Sequence, residues 1–203
     1  MKLCITMMVK DEAPRLVASL HHLYAADLPI MVFDNGSTDD TISTCEVERQ
    51  IHYREGIKNP VTISRALHNA TSAATRRNHM MRWAHEQGYD YVFMPDCDEV
   101  YDNWTLSHLH DFVEKNPEKV AFAFPRVNLP FGKDYPDYQL RLLDLRQPIL
   151  WERSIHEIAV LKRENGTAKV NLLDYKDTGF VRTSPILHLP RRTDIAREWW
   201  NSS

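Results

Sequence analysis

The chain has 203 residues, 43% of them hydrophobic and 26% charged, with a formal net charge of −3. That is enough for one domain with a sizeable core, and too near neutrality for a surface devoted to nucleic acid. Three cysteines, Cys4, Cys45 and Cys97, lack metal-ligand or disulfide spacing, and no apolar run approaches the roughly 20 residues that cross a bilayer.

Taken in order, the first half alternates short apolar runs with helical patterns, the signature of a parallel α/β sheet. Leu3 to Val9 reads as a strand, and Pro14 to Tyr24 as a helix with Leu16, Leu20, Leu23 and Tyr24 on one face. Pro29 to Phe33 is a second strand, from which Asp34-Asn35-Gly36-Ser37-Thr38-Asp39-Asp40-Thr41 turns into another helix. A third short strand is expected at Ile51 to Arg54, a helix at Ser72 to Gln87 and a fourth strand at Tyr89 to Met94.

The second half reads as a helix from Trp104 to Lys115, then strands at Val120 to Phe124, Gln139 to Leu145 and Ile158 to Leu161. Asn165-Gly166 signals a hairpin, Ile186 to Leu189 one more strand, and Thr193 to Trp200 a terminal helix. With no repeat, low-complexity segment or clear linker, a single α/β domain over residues 1–203 is expected. Residues 1–102 form its ligand-binding half and residues 103–203 a smaller, irregular layer.

The most informative stretch is Tyr91-Val92-Phe93-Met94-Pro95-Asp96-Cys97-Asp98-Glu99, an apolar strand ending in three carboxylates. In an extended backbone, positions i and i+2 point the same way, so Asp96 and Asp98 could close on one cation. Hard divalent ions favour carboxylate oxygen and fill their remaining positions with water and substrate phosphate. Metal-assisted chemistry on a phosphorylated substrate is one reading; a solvated turn or helix cap is the other. In an open parallel sheet, ligands bind beyond the carboxyl ends of the strands, which puts Lys10-Asp11-Glu12, Asp34-Asn35-Gly36-Ser37 and the acidic cluster on one rim. Capping by Asp11 and Ser37 and a turn at Asn35-Gly36 are the structural alternatives.

Four segments, Ile5-Thr6-Met7-Met8-Val9-Lys10-Asp11-Glu12, Phe33-Asp34-Asn35-Gly36-Ser37-Thr38-Asp39-Asp40-Thr41, Arg77-Asn78 and Met94-Pro95-Asp96-Cys97-Asp98-Glu99, resemble in order and spacing the family-2 glycosyltransferases of the GT-A fold. The match is close over the first half and loose over the second. The resemblance implies a metal-dependent, inverting transfer of a sugar from a nucleoside diphosphate donor, a uridine one, to a hydroxyl acceptor such as a glycan, protein, lipid-linked sugar or modified base. It implies that Met8, Lys10 and Glu12 edge the nucleotide pocket, that Asp34 meets the base, and that Asn35 and Arg77 stand near the nucleotide. Asp96 and Asp98 would hold Mn²⁺ or Mg²⁺, with Asp96 leaning towards the ribose.

A cation bridging the diphosphate would stabilise the charge that grows on the leaving group. Arg191 and Arg192 could fold over it as a lid, or form a solvated basic turn. His188 could be a third metal ligand or a core histidine. The segment Trp151-Glu152-Arg153-Ser154-Ile155-His156-Glu157 resembles the acceptor side of such enzymes, with Trp151 and His156 binding acceptor and Glu157 as general base; Glu99 is the reserve base. Trp151, Trp199 and Trp200 could instead serve packing or a dimer surface.

Two other classes compete. A sugar nucleotidyltransferase would carry a Gly-rich phosphate loop after its first strand, and no glycine precedes Gly36. A non-catalytic nucleotide-sugar or glycan-binding module would have little need of all of Asp34, Asp96, Asp98 and Glu157. A cytoplasmic location is expected, with no signal peptide or transmembrane segment, so Asn-x-Ser/Thr triplets at Asn69, Asn103 and Asn165 would be chance matches.

Overall fold

The computed structural model describes residues 1–203 except 57, 60, 66–71, 129–136, 154–157, 163–168, 175, 183–184 and 189–203. Its first half runs β1 (Leu3–Val9), α1 (Ala13–Leu23), β2 (Ile30–Asp34), α2 (Thr41–Arg54), β3 (Val61–Ser64), α3 (Ala73–Glu86), β4 (Tyr91–Phe93) and β5 (Glu99–Val100). The second half adds α4 (Asn103–Ser107), α5 (Leu109–Lys115), β6 (Ala121–Asn128), β7 (Asp137–Asp144), β8 (Ile149–Glu152), β9 (Ile158–Lys162), β10 (Lys169–Asn171), β11 (Thr178–Phe180) and β12 (Ile186–His188).

One mixed sheet joins the two halves, in the order β3-β2-β1-β4-β7-β6-β12-β5, with β11 also paired to β6. β1 is parallel to β2 and β4, and β2 to β3; the direction reverses where β7 lies antiparallel to β4. A second sheet, β10-β9-β8, is antiparallel. The expected hairpin turn at Asn165-Gly166 lies outside the described residues, but the two strands flanking it pair.

β1 and β4 are apolar on both faces because helices cover both sides of the parallel sheet. On one side Leu16, Leu20 and Leu23 of α1 pack with Leu106, Leu109, Phe122 and Phe124. On the other, Met80, Met81 and Ala84 of α3 pack with Phe33, Val92, Leu143 and Trp151. Ser72 caps α3 by accepting from the Thr75 N–H at 3.1 Å, and Asp102 caps α4 by accepting from the Thr105 N–H at 2.8 Å.

Two local expectations need correction. Residues 51–54, expected as a strand, are the last turn of α2, whose buried side is the polar series Thr41, Cys45, Glu48 and His52; a face of that kind hides helical periodicity. The edge strand is Val61–Ser64 instead. The helix expected from Trp104 to Lys115 is broken at His108 into α4 and α5. The terminal helix expected at Thr193 to Trp200 lies outside the described residues.

Candidate active site

The loops after β1 and β2 lock into one another. Asp34 is 1% exposed and folds its own loop, accepting from the N–H groups of Gly36 at 3.0 Å and Ser37 at 3.1 Å. The next residues cap α1, whose first N–H groups have no intrahelical partner. Ser37 Oγ accepts from the Asp11 N–H at 3.0 Å, Thr41 Oγ1 from the Glu12 N–H at 2.8 Å and Asp39 Oδ2 from the Ala13 N–H at 3.2 Å. Asp11 takes a left-handed φ of 53°, which its short polar side chain tolerates. Its carboxylate accepts from the N–H and hydroxyl of Thr38 at 2.7 and 3.2 Å.

The acidic cluster follows β4. Asp96 still pairs with Met8 as an isolated parallel bridge, but the chain then turns, with the Glu99 N–H donating to the Asp96 carbonyl at 3.1 Å. The extended backbone that would aim Asp96 and Asp98 alike is therefore absent, and the two carboxylates have separate partners. Asp96 faces two guanidiniums: Arg77 Nη2 at 2.9 Å from Oδ1, and Arg141 Nη2 at 2.5 Å from Oδ2. Burial alone would raise the Asp96 carboxyl; Arg141 and Arg77 overcome it and hold the group well below the usual carboxylate range. Arg77 also lies over the Trp151 ring, 4.9 Å from its centroid.

Asp98 points elsewhere. The imidazole Nε2 of His188 stands 3.2 Å from Asp98 Oδ2, and Arg15 Nη1 is 3.9 Å from the same oxygen. The antiparallel pairing of β12 with β5, which sets His188 opposite Glu99, brings the histidine there from the far end of the chain. Its hydrogen bond with Asp98 lifts the imidazole above its ordinary value, against partial burial.

Of the three residues expected to hold a metal, Asp98 and His188 come together, while both oxygens of Asp96 are engaged by arginines. The 3.2 Å gap between Oδ2 and Nε2 is close to the roughly 3 Å separating adjacent ligands of an octahedral ion with metal–ligand distances near 2.1 Å. Among the described residues no cluster of three His, Cys, Asp or Glu side chains could hold an ion. Two protein ligands with the rest from water and phosphate is the usual arrangement for Mg²⁺ at phosphate sites, so Asp98 and His188 fit the group.

Glu99 cannot serve as a base where it stands. Its side chain is closed to solvent, Oε2 accepts from Tyr101 Oη at 2.7 Å, Arg141 Nε at 2.8 Å and the Asp96 N–H at 3.1 Å, and Oε1 meets Arg141 Nη2 at 2.5 Å. It braces Arg141 and the turn. Trp151, expected at the acceptor, is 6% exposed and belongs to the core under Arg77, with its backbone held by the Asn78 amide at 2.8 Å in both directions. Lys10 is exposed, Met8 half-buried, and the Asn35 N–H donates to the Val9 carbonyl at 2.9 Å. Glu157, His156, Arg191, Arg192, Trp199 and Trp200 lie outside the described residues.

Arg141 was missed by sequence reasoning. The available signal was an arginine in the middle of the otherwise apolar run Leu140 to Leu143; such a residue is rarely buried unless paired.

The family model described as Glycosyl transferase family 2 matches residues 4–168. Among solved structures, that of S. aureus TarS aligns with a TM-score of 0.61 at 14% identity, over 97% of this chain and 38% of that one. The S. aureus TarS 1-349 structure aligns with a TM-score of 0.55 at 14% identity, over 93% of this chain and 60% of that one. The chain thus spans less than two thirds of the length of either, and the likeness is one of fold. No curated protein matches the chain.

Proposed function

Because the chain belongs to glycosyl transferase family 2, with the mixed, mostly parallel sheet of the GT-A fold, we propose that it transfers a sugar from a nucleoside diphosphate donor to a hydroxyl acceptor. The observation that carries this reading is the Asp98–His188 pair, 3.2 Å apart on the rim where the loops after β1 and β2 also end. That rim is where open α/β sheets bind nucleotides. A uridine donor is inferred from the match of Asp34 to the family's strand-end acid.

In this reading Asp98 and His188 hold Mn²⁺ or Mg²⁺, which supplies Lewis-acid stabilisation of the diphosphate as its bond to the sugar breaks. Arg77 and Arg141 keep Asp96 ionised and fixed beside the nucleotide. The Glu12 and Asn35 loops, cross-capped through Ser37, Asp39 and Thr41, give the base a rigid edge, so that little ordering is needed on binding. Glu157 takes the proton from the acceptor hydroxyl as its oxygen attacks the anomeric carbon from the face opposite the leaving group, inverting that centre.

The test is turnover across a panel of UDP-sugars with Mn²⁺. Release of UDP by the wild-type protein, lost in Asp98→Ala, is the expected result. Tight UDP binding with no hydrolysis or transfer for any donor and acceptor would favour a binding module.

A further inference from the structure

The two strands next to β4 in the sheet carry a polar array at the same rim. β4 and β6 each run antiparallel to β7, so the end of β6 and the start of β7 lie where β4 delivers Asp96. There Arg126 stands opposite Asp137, and Gln139, two residues along β7, falls on the same face. Arg126 Nε and Nη2 donate to Asp137 Oδ2 at 3.1 and 2.5 Å, and Gln139 Nε2 lies 3.1 Å from each Asp137 oxygen. A cross-strand ion pair of this kind contributes little to stability where it is open to solvent; its position is what sets this one apart. On β12, Ile186 is level with Arg126 and His188 with Asn128, which puts His188 two residues beyond Arg126 on the same face of the sheet. The Arg126 charge reaches both Asp96 and His188, favouring the ionised carboxylate of the first and opposing protonation of the second.

We propose that Arg126, Asp137 and Gln139 select the acceptor, and that the acceptor they select is a neutral pyranose held through adjacent hydroxyls. The inference rests on the transferase reading above and names the acceptor class. Two features carry it. The guanidinium and the carboxylate cancel, so the array offers no net charge to an anion. Its hydrogen bonding is also incomplete: among the described residues Arg126 Nη1 and Gln139 Oε1 make no hydrogen bond, and Asp137 Oδ1 accepts from Gln139 alone. One donor group and two acceptors are thus fixed by their mutual contacts, and a sugar hydroxyl both donates and accepts. A few fixed polar groups of this kind orient a ligand and give specificity. The sheet order places β1 and β2, whose loops are assigned to the nucleotide, on one side of β4, and β7 and β6 on the other. An acceptor on the array therefore meets the donor sugar across the acidic turn.

The test is transfer by the full chain from a panel of UDP-sugars in Mn²⁺ to the methyl glycosides of glucose, galactose and N-acetylglucosamine, and to methyl glucuronoside as the anionic counterpart, with UDP affinity measured separately by calorimetry. Wild type should use a neutral glycoside in preference to the glucuronoside. Asp137→Asn should raise the KM for that neutral glycoside by roughly 10- to 100-fold, leave UDP affinity and the donor KM unchanged, and shift preference towards the glucuronoside, because Arg126 is no longer neutralised. A merely structural role would not move that preference. An unchanged acceptor KM overturns the proposal, as does an equal rise in donor and acceptor KM or a wild-type preference for the glucuronoside. Should Asp137→Asn not fold, Gln139→Leu decides by the two KM values. UDP binding without transfer to any pyranoside overturns the acceptor assignment and leaves the nucleotide site standing; wild-type protein with no affinity for UDP overturns the transferase reading itself.

Discussion

Arg141 on β7 grips Glu99 on β5 with two parallel contacts, Nε to Oε2 at 2.8 Å and Nη2 to Oε1 at 2.5 Å. The same Nη2 reaches Asp96 Oδ2 at 2.5 Å. A strand from the second half of the chain thus sets the turn that carries the acidic cluster of the first. Burial would lower the Arg141 guanidinium, but Asp96 and Glu99 hold it well above its ordinary value.

Removing one member of a buried ionic network strands the others. Arg141→Met should therefore cost about 3–5 kcal/mol in chemical denaturation, because Asp96 and Glu99 lose their partner. Adding Glu99→Gln to that variant should restore some of the loss, since a neutral amide is less costly to bury. A double variant no more stable than Arg141→Met would contradict this account of the network.

Several features were legible in the sequence for physical reasons. The strands β1, β2 and β4 are short runs buried on both sides, and α1 carries Leu16, Leu20 and Leu23 at helical spacing. The rim acids follow from where parallel strands end. Other features were hidden because they depend on distant partners. Nothing local announces that β7 would run antiparallel beside β4 and bring Arg141 to Asp96, or that the Asp96–Glu99 turn would separate a pair of carboxylates spaced for an extended chain. Glu99 is a brace whose oxygens are engaged by Arg141, Tyr101 and the Asp96 N–H, and Asp34 accepts from the N–H groups of its own loop.

Core packing on the α1 side gives a sharper stability contrast. Leu20 is fully buried in the cluster beneath α1, whereas Val17 on the same helix is 37% exposed. Leu20→Ala should cost about 2–5 kcal/mol, and Val17→Ala should stay within about 0.5 kcal/mol, both read from urea midpoints at equal slope. Similar losses at the two positions would place α1 wrongly.

The loop latch should respond to acid. Donation from the Thr38 N–H to Asp11 Oδ1 holds that carboxyl below its usual range. Its contribution to stability is then present above the unfolded value near 3.9 and lost as pH falls through the lowered folded one. Asp11→Asn keeps an acceptor and tolerates the left-handed backbone, but cannot titrate. Wild type should be the more stable at pH 7, and the gap should close as pH falls below about 4. A gap constant from pH 7 to pH 3 would contradict the assignment.

The three thiols should be inert in the folded protein. Burial pushes Cys4, Cys45 and Cys97 each up to about 12, which at pH 8 leaves only about one thiolate in ten thousand. A disulfide reagent at pH 8 should label the native chain slowly or not at all and titrate all three in guanidinium chloride. Rapid native labelling would show that one of these sites opens.

In the proposed site Asp98 and His188, rather than Asp96, would hold the divalent ion against a nucleoside diphosphate. Electron paramagnetic resonance of Mn²⁺ titrated into the protein with UDP tests it most directly. A bound Mn²⁺ population is expected in wild type, lost in Asp98→Ala, weakened at least tenfold in His188→Ala and retained in Asp96→Asn. Unchanged Mn²⁺ binding in Asp98→Ala, or loss confined to Asp96→Asn, would contradict it.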